Sequence, residues 1–247
     1  MCGRYALYRS PAALARHFGT ANPVPNHPPS WNVAPTQDAL VVRRHPETGL
    51  RHLGPLRWGL VPRWARDASG AARMINARAE TVATLPAFRD AFRRRRCLVP
   101  ADAFYEWRAA APGAPKQPFA VAAADGAPLA LAGLWEGWRS PKGEVLRSFC
   151  IVTTAANKRL RPLHPRMPVM LPRAAWPAWL GEEEAEEAAL RALLAPDAAP
   201  PLDLWPVSPR VGRVAENDAG LLERDPAGAA PPPGDPGQGR SRSDEPA

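Results

Sequence analysis

Apolar positions recur along this chain in two rhythms, and the rhythm decides most of the elements it predicts. Leu40–Arg43, Arg51–Trp58, Ala103–Arg108 and Phe119–Ala123 are short stretches rich in Val, Leu, Phe, Tyr and Trp, closed off by Gly and Pro turn residues, which reads as strands. The first two flank the turn sequence Pro46-Glu47-Thr48-Gly49. Arg96–Pro100, Leu129–Trp138 and Val145–Thr153 read as further strands, and Leu204–Ser208 as a late one. Helical spacing is rarer. Ser10-Pro11 opens a short helix, with Ser as N-cap and Pro at the first helical position, so that Leu14 and Phe18 share its buried face. Pro86–Arg95, Ala155–Leu160, Arg173–Leu180 and Glu182–Leu194 are the other predicted helices, and the glutamates that open the last suit a helix N-terminus electrostatically. Residues 20–35 read as a Pro/Asn loop ending in Asn32-Val33-Ala34-Pro35. Strands and helices do not alternate regularly, so the predicted class is a single mixed α+β domain over residues 1–224 rather than a doubly wound parallel sheet. Beyond Arg224 the composition collapses to Pro, Gly, Ala and charge, which predicts a disordered tail over 225–247.

Composition and charge narrow the partners. The chain has 247 residues, enough to bury a full core in one domain. Its net charge is +8, and since residues 225–247 carry about −2, the remainder carries about +10. A basic body suits a polyanion such as nucleic acid, although arginine used for solubility would look the same. Cys2, Cys97 and Cys150 cannot all pair, which fits a reducing compartment. Residues 1–20 lack the pattern of a secretory signal, and there is no apolar run of about 18 residues, so a cytoplasmic, nucleoid-associated protein without a membrane span is expected. No Cys/His spacing suggests a zinc site, and no metal or cofactor is expected.

The N-terminus adds chemistry. In Met1-Cys2-Gly3-Arg4-Tyr5 the small second residue favours removal of the initiator Met. A mature Cys2 would carry an α-amine and a thiol on adjacent carbons. The amine condenses with an aldehyde to an imine, and the thiol adds to the imine carbon to close a thiazolidine. An α-amino pKa near ~7.8 and a thiol pKa near ~8.5 leave usable fractions of both nucleophiles at neutral pH. Arg4 is expected to lower both values or to hold a phosphate, and Gly3 lets the backbone pass close to a ligand.

Several segments in order resemble the SOS response-associated peptidase (SRAP) family, whose members crosslink to abasic sites in DNA. They are Met1-Cys2-Gly3-Arg4-Tyr5, Asn32-Val33-Ala34-Pro35, Arg57-Trp58-Gly59-Leu60-Val61-Pro62 and Ile75-Asn76-Ala77-Arg78-Ala79-Glu80-Thr81. The long match Arg96–Trp107 follows, then Ala132–Glu136, Thr153–Asn157, His164-Pro165-Arg166-Met167-Pro168-Val169 and Val207-Ser208. Two positions depart from the family pattern: Ala103 stands where Gly is usual, and Pro165 replaces a commonly polar residue and restricts His164 to extended geometry. The resemblance implies a strand-rich, barrel-like core flanked by short helices. It also implies that Cys2 is the nucleophile and that Asn76, Glu106 and His164 are the other catalytic positions.

Each of these residue types suits the chemistry. Opening the hemiacetal of an abasic deoxyribose moves a proton from the anomeric hydroxyl to the ring oxygen, work for Glu106 if Phe104, Tyr105 and Trp107 raise its pKa. Asn76 is a neutral donor and acceptor that can orient the Cys2 amine or a sugar hydroxyl. His164 can relay protons near pH 7, in imine formation, β-elimination or reversal. Arg4, Arg78 and Arg166 are expected phosphate contacts. Asn32, Pro35, Trp58 and Trp107 are expected to line a DNA channel, where an aromatic ring can stack a base. The run Arg93–Arg96 reads equally as a solvated helix end, His17, His27, His45 and His52 as structural or surface residues, and Cys97 and Cys150 as buried and inert.

The expected function is an abasic-site processing enzyme, a monomer that binds single-stranded DNA and bonds covalently to the lesion through Cys2, with lyase activity as a side reaction. Two other classes are open to the same residues: a Cys2-dependent peptidase acting on protein or a DNA-linked peptide, and a non-covalent single-strand binding module in which Cys2 is structural.

Overall fold

Five strands of this domain close on themselves. The computed structural model describes residues 2–108 and 115–231. Its strands are β1 (Tyr5–Leu7), β2 (Ser30–Val33), β3 (Asp38–Arg44), β4 (Arg51–Trp58), β5 (Asn76–Arg78), β6 (Arg96–Ala101), β7 (Ala103–Arg108), β8 (Gln117–Ala123), β9 (Leu129–Arg139), β10 (Val145–Ala155), β11 (Arg166–Pro168) and β12 (Leu202–Pro206). Pairings run from β10 to β4, β3, β6, β9 and back to β10, with only β10–β4 parallel, so this sheet is a closed barrel. A second, antiparallel sheet, in the order β12-β8-β7-β1-β2, packs beside it. The barrel-like α+β architecture expected from the sequence is the one observed.

Alternation explains the barrel core. Trp58, Phe149 and Trp135 are register partners on β4, β10 and β9, so they point to one face, and the Trp58 and Phe149 rings lie 6.3 Å apart. Trp58 and Phe149 are fully buried. The opposite face of β6 carries Arg96 and packs against the helix α3 introduced below, through the Trp179 ring. The Trp58–Phe149–Trp135 face is therefore the barrel interior. Gly133 sits on it because nothing larger fits: a Cβ there would lie 2.8 Å from both Cys97 Sγ and Val99 Cγ2.

The helices are short. The first, α1 (Pro11–Phe18), begins as expected, with Ser10 Oγ accepting from the Ala13 N–H, and it ends at Gly19 with φ 65°. Leu14 and Phe18 are both buried. The other three are α2 (Arg89–Arg94), α3 (Trp176–Leu180) and α4 (Glu187–Ala192). Two helix expectations need correction. Ala155–Leu160 is not helical: pairing with β11 carries β10 through Ala155, and residues 157–163 form turns. Glu182–Leu194 is helical only over Glu187–Ala192. Gly181, at φ 76°, ends α3, and Glu182 turns back to Arg51 through hydrogen bonds of 2.7 and 2.8 Å, taking the first acidic residues off any helix axis. The loop expected over 20–35 ends in strand β2, and the late strand sits two residues earlier than expected.

A C-terminal strap over 209–231 covers the outer face of the second sheet, where Val211 and Leu221 are buried against Ala6, Tyr105 and Ala120. At the head of the expected tail, the Asp225 N–H donates to Pro206 O at 2.9 Å, and Arg108 donates to Ala230 O at 2.9 Å. The rest of that tail, 232–247, lies outside the described residues.

Candidate functional site

Antiparallel pairing of β1 with β7 sets Tyr5 opposite Phe104 and Ala6 opposite Ala103. Continued backwards, that register brings the residues before Tyr5 alongside Glu106. Cys2 and Glu106 are both buried there. A second convergence comes from β10, which pairs with β5 along one edge and β11 along the other. Asn76 is opposite Ile151, Arg78 opposite Thr153 and Arg166 opposite Ala155, so the period of two puts all three side chains on one face. The Asn76 amide then donates to Cys2 O at 2.9 Å, joining the two halves of the site.

Burial governs the electrostatics. It pushes the Cys2 thiol up to about 12, and the nearby Glu106 carboxylate adds to the rise, against a smaller opposing effect from the Arg4 backbone N–H. Arg4 acts on the thiol only through that backbone N–H, and desolvation outweighs it, so the expectation that Arg4 would make the thiol more acidic is not met. Arg4 is itself held below its ordinary value by burial, and its guanidinium donates to Gly3 O at 2.9 Å. Beneath Cys2, the Tyr5 ring meets Trp58 edge-on at 5.2 Å, closing this end of the barrel. The Tyr5 phenol is raised well above its usual range, first by burial and then by the thiols of Cys2 and Cys97.

His164 is half-buried, and its Nδ1 accepts the Arg166 backbone N–H at 3.0 Å. The same Nδ1 lies 3.2 Å from Arg166 O, to which it donates in the other tautomer. The Arg166 guanidinium is already engaged: it takes both oxygens of Glu80, one at 2.9 Å, and donates to Thr153 O at 2.6 Å. Arg78 is exposed.

Four of the expected channel residues are placed differently from one another. Trp58 is fully buried between Tyr5 and Phe149, with its indole N–H donated to Ile75 O at 3.0 Å, and Asn32 is 1% exposed. The Asn32 amide donates to the carbonyls of Val211, Arg213 and Glu216 at 3.3, 2.9 and 2.8 Å, pinning the strap. Packing buries Trp58, and the Asn32 amide nitrogen is committed to the strap while its Oδ1 is buried without a partner, so neither side chain is open to solvent in this structure. Pro35 is half-buried beside Thr36, which has φ 71°. Trp107 is half-buried on the strap side of the second sheet, and strand alternation turns it away from the face of Glu106.

Two residues escaped the sequence reading. Glu80 was quoted only as part of a motif, yet a carboxylate between two expected phosphate-binding arginines was a signal of pairing. Trp64, 64% exposed on the loop after β4 between Arg63 and Arg66, was readable as an aromatic flanked by cations. The run Arg93–Arg96 serves the fold: Arg95 pairs with buried Glu136 at 2.6 Å, Arg96 donates to Phe92 O, and Arg93 faces Glu187 at 3.6 Å. A polar groove of about 690 Å³ between that run and Glu183–Glu187 contains none of the expected site residues. Among the described residues no group of three or more His, Cys, Asp or Glu is placed to hold a metal ion, and no helix is long and apolar enough to cross a membrane.

Comparison with known proteins gives this geometry a family. The model of the SOS response associated peptidase (SRAP) family matches residues 1–214. The chain is 36% identical to the abasic site processing protein YoqW of Bacillus subtilis, covering 90% of this chain and 99% of that one. It is 32% identical to the abasic site processing protein YedK of Escherichia coli, over 90% and 99% of the two chains. A solved structure from Bordetella bronchiseptica superposes with a TM-score of 0.70 at 30% identity, over 84% of this chain and all of that one. Another, from Bacteroides thetaiotaomicron, reaches a TM-score of 0.80 at 23% identity over 91% of this chain, a likeness of fold. The chain belongs to the SOS response associated peptidase (SRAP) family.

Proposed function

We propose that this protein processes abasic sites in single-stranded DNA by capturing the sugar aldehyde on Cys2 once Met1 has been removed. The observation that carries the reading is the clamp on Cys2: the Asn76 amide holds its carbonyl at 2.9 Å while the Glu106 carboxylate lies close enough to act on its thiol. The relatives named as abasic site processing proteins supply the substrate class.

The chemistry follows from the electrostatics. Once Met1 is gone, the first nucleophile is the α-amine of Cys2, of which roughly a tenth is unprotonated at neutral pH. It adds to the aldehyde carbon, water leaves, and an imine remains. The S–H then adds across the C=N bond: sulfur bonds to carbon, the proton ends on nitrogen, and the thiazolidine ring closes. Glu106 shuttles the proton that opens the sugar hemiacetal, and His164 serves the imine steps. β-Elimination from the imine is the accessible side reaction. Arg4 and Arg78 take phosphates, Arg166 does so only by exchanging Glu80, and Pro35 and the exposed Trp64 border the path of the strand. The protein acts as a monomer.

The test is a denaturing gel of purified protein incubated with an abasic-site oligonucleotide, with intact mass spectrometry of the N-terminus. A covalently shifted band is expected, lost in Cys2→Ala and in protein that keeps Met1. An undiminished band from a blocked N-terminus would sink the proposal. Cleaved peptides without a shift would establish a Cys2 peptidase in its place, and a shift in native gels alone would leave a plain binding module.

A further inference from the structure

The barrel has a second end, away from Cys2, and its chemistry is unlike anything else in the molecule. Arg43 of β3 is 9% exposed, and its guanidinium lies 4.9 Å over the ring of Trp135 inside the barrel. Among the described residues no hydrogen bond or ion pair reaches that guanidinium. Other part-buried arginines have protein partners: Arg95, Arg51 and Arg166 pair with Glu136, Glu182 and Glu80, Arg96 donates to backbone carbonyls and Arg4 to Gly3 O. His52 lies directly across the β3–β4 ladder from Arg43, and its ring stacks on His45 at 5.7 Å. Arg147 of β10 is two residues from Phe149 and shares its interior face at the mouth.

The charges here share one sign. His52 is pushed down, first by burial and then by Arg43, His45 and Arg147, and Arg43 is pushed down by burial and by Arg147. The guanidinium nitrogens of Arg43 reach solvent at the mouth, and a partly desolvated cation with no counter-charge there is stabilised when an anion enters. Stacking on Trp135 uses the face of the guanidinium and leaves its N–H edges for oxygen acceptors, the geometry that suits arginine to phosphate. Two arginines with two imidazoles above them offer more donors than a single carboxylate would use, and suit the several oxygens of a phosphate group.

We propose that Arg43, Arg147, His45 and His52 form a phosphate-binding site at the barrel mouth, separate from the Cys2 site. Arg147 lies about 20 Å along β10 from Thr153, at roughly 3.3 Å per residue. The phosphate belongs either to a nucleic-acid strand or to a free small phosphate. The site does not depend on the capture chemistry at Cys2.

The experiment uses the full chain in chloride buffer at constant ionic strength, with inorganic phosphate as the probe, and follows thermal unfolding and the imidazole resonances of His45 and His52. Phosphate is expected to raise the wild-type Tm in a saturable way and to shift both imidazoles. Arg43→Met is expected to bind phosphate about tenfold more weakly or worse, while capturing an abasic oligonucleotide in phosphate-free buffer at the wild-type rate. Arg147→Gln, at an exposed position, repeats the binding test should Arg43→Met fold poorly. An undamaged oligonucleotide without a terminal phosphate, added to protein free of inorganic phosphate, then separates the sources: shifted imidazoles assign the site to a strand, and unmoved ones assign it to a free phosphate. An equal rise in Tm for wild type and both variants, or imidazoles unmoved by inorganic phosphate, overturns the site. Loss of Cys2 capture with phosphate binding intact would overturn the proposed function and leave this site standing.

Discussion

The barrel and the strands that carry Cys2, Asn76 and Arg166 are built on different principles. Barrel strands such as β9 and β10 are long, and each holds its register through interior side chains and many ladder bonds. Strands β1, β5 and β11 are three residues each. They cannot specify their own positions and borrow them from neighbours: β1 from β7, β5 and β11 from the end of β10. The barrel therefore supplies stability, β5 and β11 attached to it place Asn76 and Arg166, and β1 in the second sheet places Cys2 just before it. Such a division lets reactive groups be buried and crowded without asking those residues to hold the fold.

Substitutions should separate the two roles. The largest effect is expected for Phe149→Ala, which empties the fully buried position stacked on Trp58 and should cost about 3–5 kcal/mol in denaturant unfolding. DNA capture measured where that variant remains folded should persist, and its complete loss there would break the division. Next comes Glu106→Gln, expected to slow crosslinking about 100-fold while leaving DNA affinity nearly unchanged. Equal losses in rate and affinity would make Glu106 a binding residue instead. Asn32→Ala removes the donor to three strap carbonyls and should cost about 1–2 kcal/mol, with faster amide exchange confined to 211–217. Faster exchange throughout the barrel would show that the strap is part of the stable body.

Glu80→Gln is expected to have the smallest effect. Its hydrogen bonds with Arg166 hold Glu80 below the ordinary carboxylate range, so the pair stabilises above the unfolded Glu pKa near ~4.3 and that contribution is lost as pH falls through the lower folded value. With the carboxylate about half exposed, the difference should stay under about 1 kcal/mol at neutral pH and vanish in acid. Releasing Arg166 should also tighten DNA binding, and an unchanged affinity would remove Arg166 from the phosphate contacts.

The strands that were readable are the ones whose own side chains decide them. Arg51–Trp58 and Ala103–Arg108 have the ends that their apolar patterns predicted. The strands at Tyr5, Asn76 and Arg166 were not readable, because three residues carry no usable period and only pairing makes them strands. The helix expected at Ala155–Leu160 failed for the same reason in reverse: β11 recruits Ala155 into the sheet, a partner that local propensity does not see. The motifs offered Cys2, Asn76, Glu106 and His164 as candidate site residues. They did not reveal that Trp58 and Asn32 are consumed by the fold or that Arg166 is held by Glu80.

Sequence alone determined the reactive inventory, the mixed class of the domain and its family, since these reside in residue identity, order and local periodicity. Tertiary structure decided which groups are desolvated, which charges find partners and which side chains meet. Those properties depend on strands far apart in the chain closing into one barrel, and no local window contains that information. The same closure pushes the Cys2 thiol up and, among the described residues, leaves Arg43 without a counter-ion.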